Sequence, residues 1–114
     1  MGNSAQAWIQ LRSVIYPIQP NSSIHIGRAI GSDIRLFEDT GISREHCTIT
    51  STKGQLEVKD LDSRNGTKVN GKHITGPTRL HHRDVIDVGE SQLTILFELD
   101  PDDRNTASDV PLIS

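Results

Sequence analysis

Stretches in which apolar and polar residues alternate recur at short spacing along the chain, the period-2 signature of strands with one buried face. Ala7–Ile18 alternates in this way, with Pro17 and Pro20 marking its end. Ser23–Ile26 forms a short run closed by Gly27, and Ile34–Leu36 lies between the turn formers Gly31-Ser32-Asp33 and Glu38-Asp39-Thr40-Gly41. His46–Thr50 and Gln55–Asp60 flank Ser51-Thr52-Lys53-Gly54 and predict a hairpin. Asn70-Gly71, between Lys68-Val69 and Lys72-His73-Ile74, predicts a tighter one, because a type I′ turn needs two positive φ angles. Thr78–Leu80, Asp84–Val88 and Gln92–Leu99 complete the set. No stretch repeats its apolar residues at helical spacing. About ten or eleven short strands without helices predict an all-β fold, a sandwich of two antiparallel sheets.

The alternation stops near Leu99, where the chain becomes polar and acidic. This divides it into a disordered N-terminus at 1–6, one domain at 7–98 and an acidic flexible tail or linker at 99–114. Hydrophobic residues make up 33% and aromatic residues 4% of the 114, so the core should be thin and aliphatic. One cysteine, Cys47, leaves no internal disulfide and no cysteine-based zinc framework, and points to cytosol or nucleus. Met1–Ala7 lacks the basic-then-apolar order of a signal peptide, and no run of about 18 apolar residues exists to span a membrane. The net charge of −3 is carried by residues 98–114, which hold five acidic residues against Arg104; residues 1–97 carry 11 basic and 10 acidic residues. A near-neutral domain lacks the basic stripe that nucleic acid requires. Anion binding, if present, must come from a few placed arginines.

Four short signals fall in order on the expected turns: Gly27-Arg28, Ser43-Arg44-Glu45-His46, Asn65-Gly66-Thr67 and Asn70-Gly71. Three of them place an arginine, a serine and an asparagine between strands, the donors needed to hold a phosphate and the peptide that carries it. Singly, each has a plainer account. Gly27-Arg28 is a turn glycine before a solvated arginine. Ser43 to His46 reads as a helix N-cap, although a capping box wants Glu or Gln where His46 stands and Cys47-Thr48-Ile49-Thr50 suits a strand. Ser43 as nucleophile with His46 as base would also need an orienting carboxylate and an oxyanion hole. Asp62 to Thr67 is rich in turn formers, and Asn65-Gly66-Thr67 matches a glycosylation sequon that no secretory signal supports. His25, His73, His81 and His82 lack metal-ligand spacing, so neither a metal nor a cofactor is expected.

The ordered set resembles the forkhead-associated (FHA) domain family of phosphothreonine-peptide readers, over roughly residues 7–98. The resemblance implies that Arg28 is the principal charge contact to phosphate and that Ser43 contributes its hydroxyl and its backbone N–H. It places Arg44 near the phosphate, makes Arg64 either a second cation for the phosphate or an outward reader of an acidic residue downstream, and makes the Asn65 amide a clamp on the peptide backbone. Gly27, His46, Gly66 and Thr67 become structural supports. Gly41 stands where some members carry an arginine that reads the residue three positions after phosphothreonine, so that preference does not carry over. The implied function is phosphothreonine-dependent protein–protein interaction, without catalysis, nucleic acid or membrane. Its rivals are a phosphate-independent interaction sandwich and a small hydrolase using Ser43 and His46. In the tail, Thr106-Ala107-Ser108-Asp109 sets an acid three positions after a threonine, a candidate for self-recognition once phosphorylated.

Overall fold

The computed structural model describes residues 7–98. The segments 1–6 and 99–114, with the expected disordered N-terminus, acidic tail and Thr106, lie outside the described residues. Eleven strands run in order as β1 (Ala7–Leu11), β2 (Val14–Ile18), β3 (Ser23–Gly27), β4 (Ile34–Arg35), β5 (Cys47–Thr52), β6 (Gln55–Asp60), β7 (Thr67–Val69), β8 (Lys72–His73), β9 (Thr78–Leu80), β10 (Val85–Val88) and β11 (Ser91–Phe97). They form a six-stranded sheet ordered β2-β1-β11-β10-β7-β8 and a five-stranded sheet ordered β4-β3-β5-β6-β9. Among the described residues no helix is long and apolar enough to cross a membrane.

Alternation decides what lies between the sheets. Ile9, Leu11, Ile86, Val88, Leu93, Ile95 and Phe97 face inward from the first sheet; Ile24, Ile26, Ile34, Cys47, Ile49, Leu56, Val58 and Leu80 face them from the second. The core is thus aliphatic, as the composition requires, and burying each such side chain contributes about 1.5–3 kcal/mol before entropy is set against it.

Three details depart from the sequence expectation. Ala7–Ile18 is two strands, folded at Arg12-Ser13 so that Leu11 pairs with Val14 and Ile9 with Tyr16. The two-residue turn shifts the shared face from odd positions (Ala7, Ile9, Leu11) to even ones (Val14, Tyr16, Ile18), a change of phase that the uninterrupted run Val14 to Ile18 hides; Arg12 turns the chain with φ 57°. Pro17, lacking an N–H, is accommodated because β2 is an edge strand. The second departure is the pairing of β3 with β4, which is parallel in otherwise antiparallel sheets. Its register is held by Asp33, whose N–H donates to the His25 carbonyl while its carboxylate accepts the His25 N–H. Third, β5 extends through Thr52, and the β5–β6 turn is only Lys53-Gly54, with φ 53° and 78°. Asn70-Gly71 has the expected two positive φ angles, 52° and 86°.

Candidate recognition loops

Three loops meet at one end of the sandwich: 28–33 after β3, 36–46 before β5 and 61–66 after β6. Gly27 brings the first two together. A β-carbon on it would sit 2.0 Å from the Arg44 carbonyl oxygen, so only glycine permits the approach. That contact lets the Arg28 N–H donate to the carbonyls of Ser43 and Arg44, both at 3.0 Å, and the Ala29 N–H to Arg44 at 3.1 Å.

Arg28 is exposed, yet its stem is fixed because Nε donates to the Ile42 carbonyl at 3.2 Å. The bond uses the inner nitrogen and leaves the two terminal nitrogens of the planar fork as donors. Arg35, absent from the sequence expectation, joins this cluster: its Nε donates to the Arg28 carbonyl at 3.2 Å and its guanidinium carbon lies 5.2 Å from the Phe37 ring centroid.

The second and third loops are tied by side chains. Ser43 Oγ accepts the Arg64 N–H at 2.8 Å, the Asn65 amide nitrogen donates to the Gly41 carbonyl at 2.8 Å, and His46 Nε2 donates to the Gly66 carbonyl at 2.8 Å. His46 is fully buried, and its Nδ1 accepts the Ser43 N–H at 3.1 Å. These partners place the ring proton on Nε2. They also correct one expectation: the Ser43 N–H is directed inward to His46, and its hydroxyl proton is the donor left to face outward. Both imidazole nitrogens are engaged by backbone groups, so His46 offers no lone pair to the Ser43 hydroxyl. Gly66 turns the third loop with φ 81°, and a β-carbon there would meet the His73 imidazole at 2.8 Å. Arg44 and Arg64 are exposed and reach no partner through their side chains among the described residues.

Two carboxylates that the sequence expectation omits organise these loops. Asp60, at the end of β6, accepts the Ser63 hydroxyl, the buried Thr67 hydroxyl at 2.7 Å and the Ser63 N–H at 3.1 Å. Burial works against its charge, but these donors prevail and hold the carboxyl below its ordinary value. Asp39 accepts the Gly41 N–H at 2.9 Å, the Glu90 N–H at 2.9 Å and the Ser91 hydroxyl at 2.6 Å, tying the second loop to the β10–β11 turn. Here too burial is outweighed by donors, and the carboxyl lies below its ordinary value. The signal for Asp39 is local, an Asx turn spelled Asp-x-Gly. That for Asp60 is not local, because Ser63 and Thr67 converge on it only after the loop has closed.

Behind this end lies Cys47, buried, its thiol pushed up to about 12 by burial and by the Asp60 charge. Among the described residues no group of three His, Cys, Asp or Glu stands close enough to hold a metal ion.

Comparison with known proteins gives the same frame. A family profile described as the FHA domain matches residues 24–89. An FHA domain-containing protein of Arabidopsis thaliana is 34% identical over 85 residues, covering 72% of this chain and 22% of the relative. An ABC transporter ATP-binding/permease protein of Mycobacterium tuberculosis is 38% identical over 74 residues, 65% of this chain and 8% of that protein. The chain therefore spans about a fifth or less of the length of these two relatives. A structure solved in work on phosphothreonine-dependent FHA domain interactions superposes with a TM-score of 0.73 at 32% identity, covering 80% of this chain and 95% of the other.

Proposed function

The chain belongs to the FHA domain family, and on that premise we propose that it binds phosphothreonine-containing proteins or peptides through the three loops at one end of the sandwich. The observation that carries this reading is the convergence of Arg28, Ser43 and Asn65, from three separate loops, on one cross-tied surface. Phosphorylation adds about −1.5 to −2 charge and three acceptor oxygens to a threonine. The terminal nitrogens of Arg28 and the hydroxyl of Ser43 supply the matching donors, with Arg44 and Arg64 as further cations at the rim. Asn65, with one amide hydrogen on Gly41, keeps its carbonyl and second hydrogen for the backbone of the bound peptide. His46, Gly27, Gly66 and Thr67 hold the loops and do not touch ligand.

In this reading residues 7–98 are the functional domain, it performs no catalysis, and it works inside the cell, where kinases and phosphatases set its occupancy. The commitment of both His46 nitrogens to backbone groups argues against the hydrolase alternative. Titration calorimetry with one peptide carrying phosphothreonine, phosphoserine or unmodified threonine tests the proposal. Binding of the phosphothreonine form alone, weakened by salt, is expected; equal binding of the unmodified form would favour the phosphate-independent sandwich.

A further inference from the structure

The second loop presents its backbone to the recognition side chains one peptide unit at a time. The unit joining Ile42 to Ser43 accepts Arg28 Nε through its carbonyl at 3.2 Å and donates its N–H to His46 Nδ1 at 3.1 Å. The unit joining Gly41 to Ile42 accepts the Asn65 amide nitrogen through its carbonyl at 2.8 Å and donates its N–H to the Asp39 carbonyl at 3.3 Å. Each unit therefore faces one recognition side chain and one brace. Ile42 stands between them, 3% exposed and packed into the core, so the α-carbon that the two units share is pinned. His46 braces the phosphate side of the site, and Asp39 braces the peptide clamp.

Asp39 is itself held from outside the recognition loops. Its carboxylate accepts the Gly41 N–H at 2.9 Å, and on its other side the Glu90 N–H at 2.9 Å and the Ser91 hydroxyl at 2.6 Å. Glycines let these segments touch. A β-carbon on Gly41 would lie 3.1 Å from the Gly89 α-carbon, and one on Gly89, where φ is 58°, would lie 2.6 Å from Asp39 Oδ1. The contacts thus run from Glu90 and Ser91 through Asp39 and Gly41 to Asn65, and none of them passes through Arg28, Ser43 or His46. The β10–β11 turn belongs to the six-stranded sheet, whereas Arg28 and Ser43 stand on loops of the five-stranded one. One sheet carries the phosphate contacts, and the other sets the clamp.

Resting on the phosphothreonine reading of the loops, we propose that Asp39 is a positioning residue for the Asn65 clamp, anchored by the β10–β11 turn, and that the clamp and the phosphate contacts are set separately. Asp39 touches no ligand. It fixes the Gly41 carbonyl, which takes one Asn65 amide hydrogen and so aims the second hydrogen and the side-chain carbonyl at the peptide backbone. The turn at Gly89-Glu90 is then a remote point from which the hold on the peptide is tuned while the hold on phosphate stays as it is.

Double-mutant cycles on the whole chain test this, read by calorimetry with a phosphothreonine peptide selected from an oriented library. Asp39→Asn keeps the shape of the side chain and removes its charge; Ser91→Ala removes one brace and alters no recognition loop. Asp39→Asn should weaken binding about fivefold or more, and Ser91→Ala less but in the same direction. With Asn65→Ala already present, Asp39→Asn should change affinity by less than about twofold; with Arg28→Lys present it should cost its full factor. In the free protein the Asn65 side-chain amide resonances should shift in both variants while that of Arg28 Nε stays in place. Equal losses in the Asn65→Ala and Arg28→Lys backgrounds, or an unmoved Asn65 amide, would overturn the positioning role and leave phosphothreonine recognition standing. Should Asp39→Asn fail to fold, the cycle with Ser91→Ala decides by the same criterion. If the wild-type chain binds the unmodified peptide as well as the phosphorylated one, the recognition reading fails and the assignment of Asp39 with it.

Discussion

Arg28 shows how much a single residue here depends on its neighbours. Its backbone N–H, its Nε and its carbonyl are all bound within the loops, so the terminal nitrogens are held in place before any ligand arrives. Arg28→Ala is expected to leave the melting temperature nearly unchanged and to weaken phosphopeptide binding at least about tenfold, since a charge-assisted hydrogen bond contributes roughly 1.5–3 kcal/mol. Calorimetry with a melting curve checks both halves. Gly27→Ala should behave differently. Its new β-carbon would lie 2.0 Å from the backbone oxygen of Arg44, so the second loop has to move, and stability and affinity should fall together. A variant with wild-type melting and binding would show that the close approach is dispensable.

At the scale of the element, the loops behave as one body because their ties converge on two buried or half-buried side chains, His46 and Asp60. His46→Ala leaves the Ser43 N–H and the Gly66 carbonyl without partners, at an expected cost of about 1–3 kcal/mol. Denaturant unfolding should show that loss, with weaker binding alongside it; unaltered stability accompanied by loss of an esterase activity would instead revive the catalytic alternative. Much of this element was legible beforehand. Arg28, Ser43, His46 and Asn65 stand on short motifs placed on turns between strands, and the structure brings those turns together. Asp60 stands on none, because its partners are chosen by how the loop closes rather than by local spacing. The inward turn of the Ser43 N–H was hidden for the same reason, since His46 becomes its acceptor only once the second loop has folded.

For the whole molecule, the two depressed carboxyls set the acid limit of stability. Asp39 and Asp60 have folded values below the unfolded value of about 3.9, so between these values the unfolded chain binds more protons than the folded one. Their contribution is complete above the unfolded value and is lost as pH falls through the folded values. The melting temperature should therefore drop below about pH 4, and Asp60→Asn, less stable at neutral pH, should show a shallower acid decline. A parallel decline in both proteins would remove Asp60 from the account. Cys47 gives an independent measure of global opening, because its thiol is fully buried and raised to about 12. Thiol reagents at pH 8 should modify it only as fast as the sandwich opens, and quickly beyond the urea midpoint; prompt reaction in native buffer would contradict that burial.

Alternation, turn residues and the order of four motifs were enough to specify an all-β sandwich, nearly every strand and the family of the recognition loops, because these depend on contacts between sequence neighbours. The hairpin at Arg12-Ser13 escaped, since the shift of the shared face from odd to even positions is masked by the unbroken run Val14 to Ile18, and Arg12-Ser13 carries no glycine, asparagine or proline to announce a turn. The parallel β4 escaped because two residues carry no pairing preference and Asp33 supplies the register from outside the strand. The roles of Asp39, Asp60 and Arg35 and the inward Ser43 N–H all arise where distant segments meet. Such contacts are made by the closed sandwich, and no local pattern in the chain encodes them.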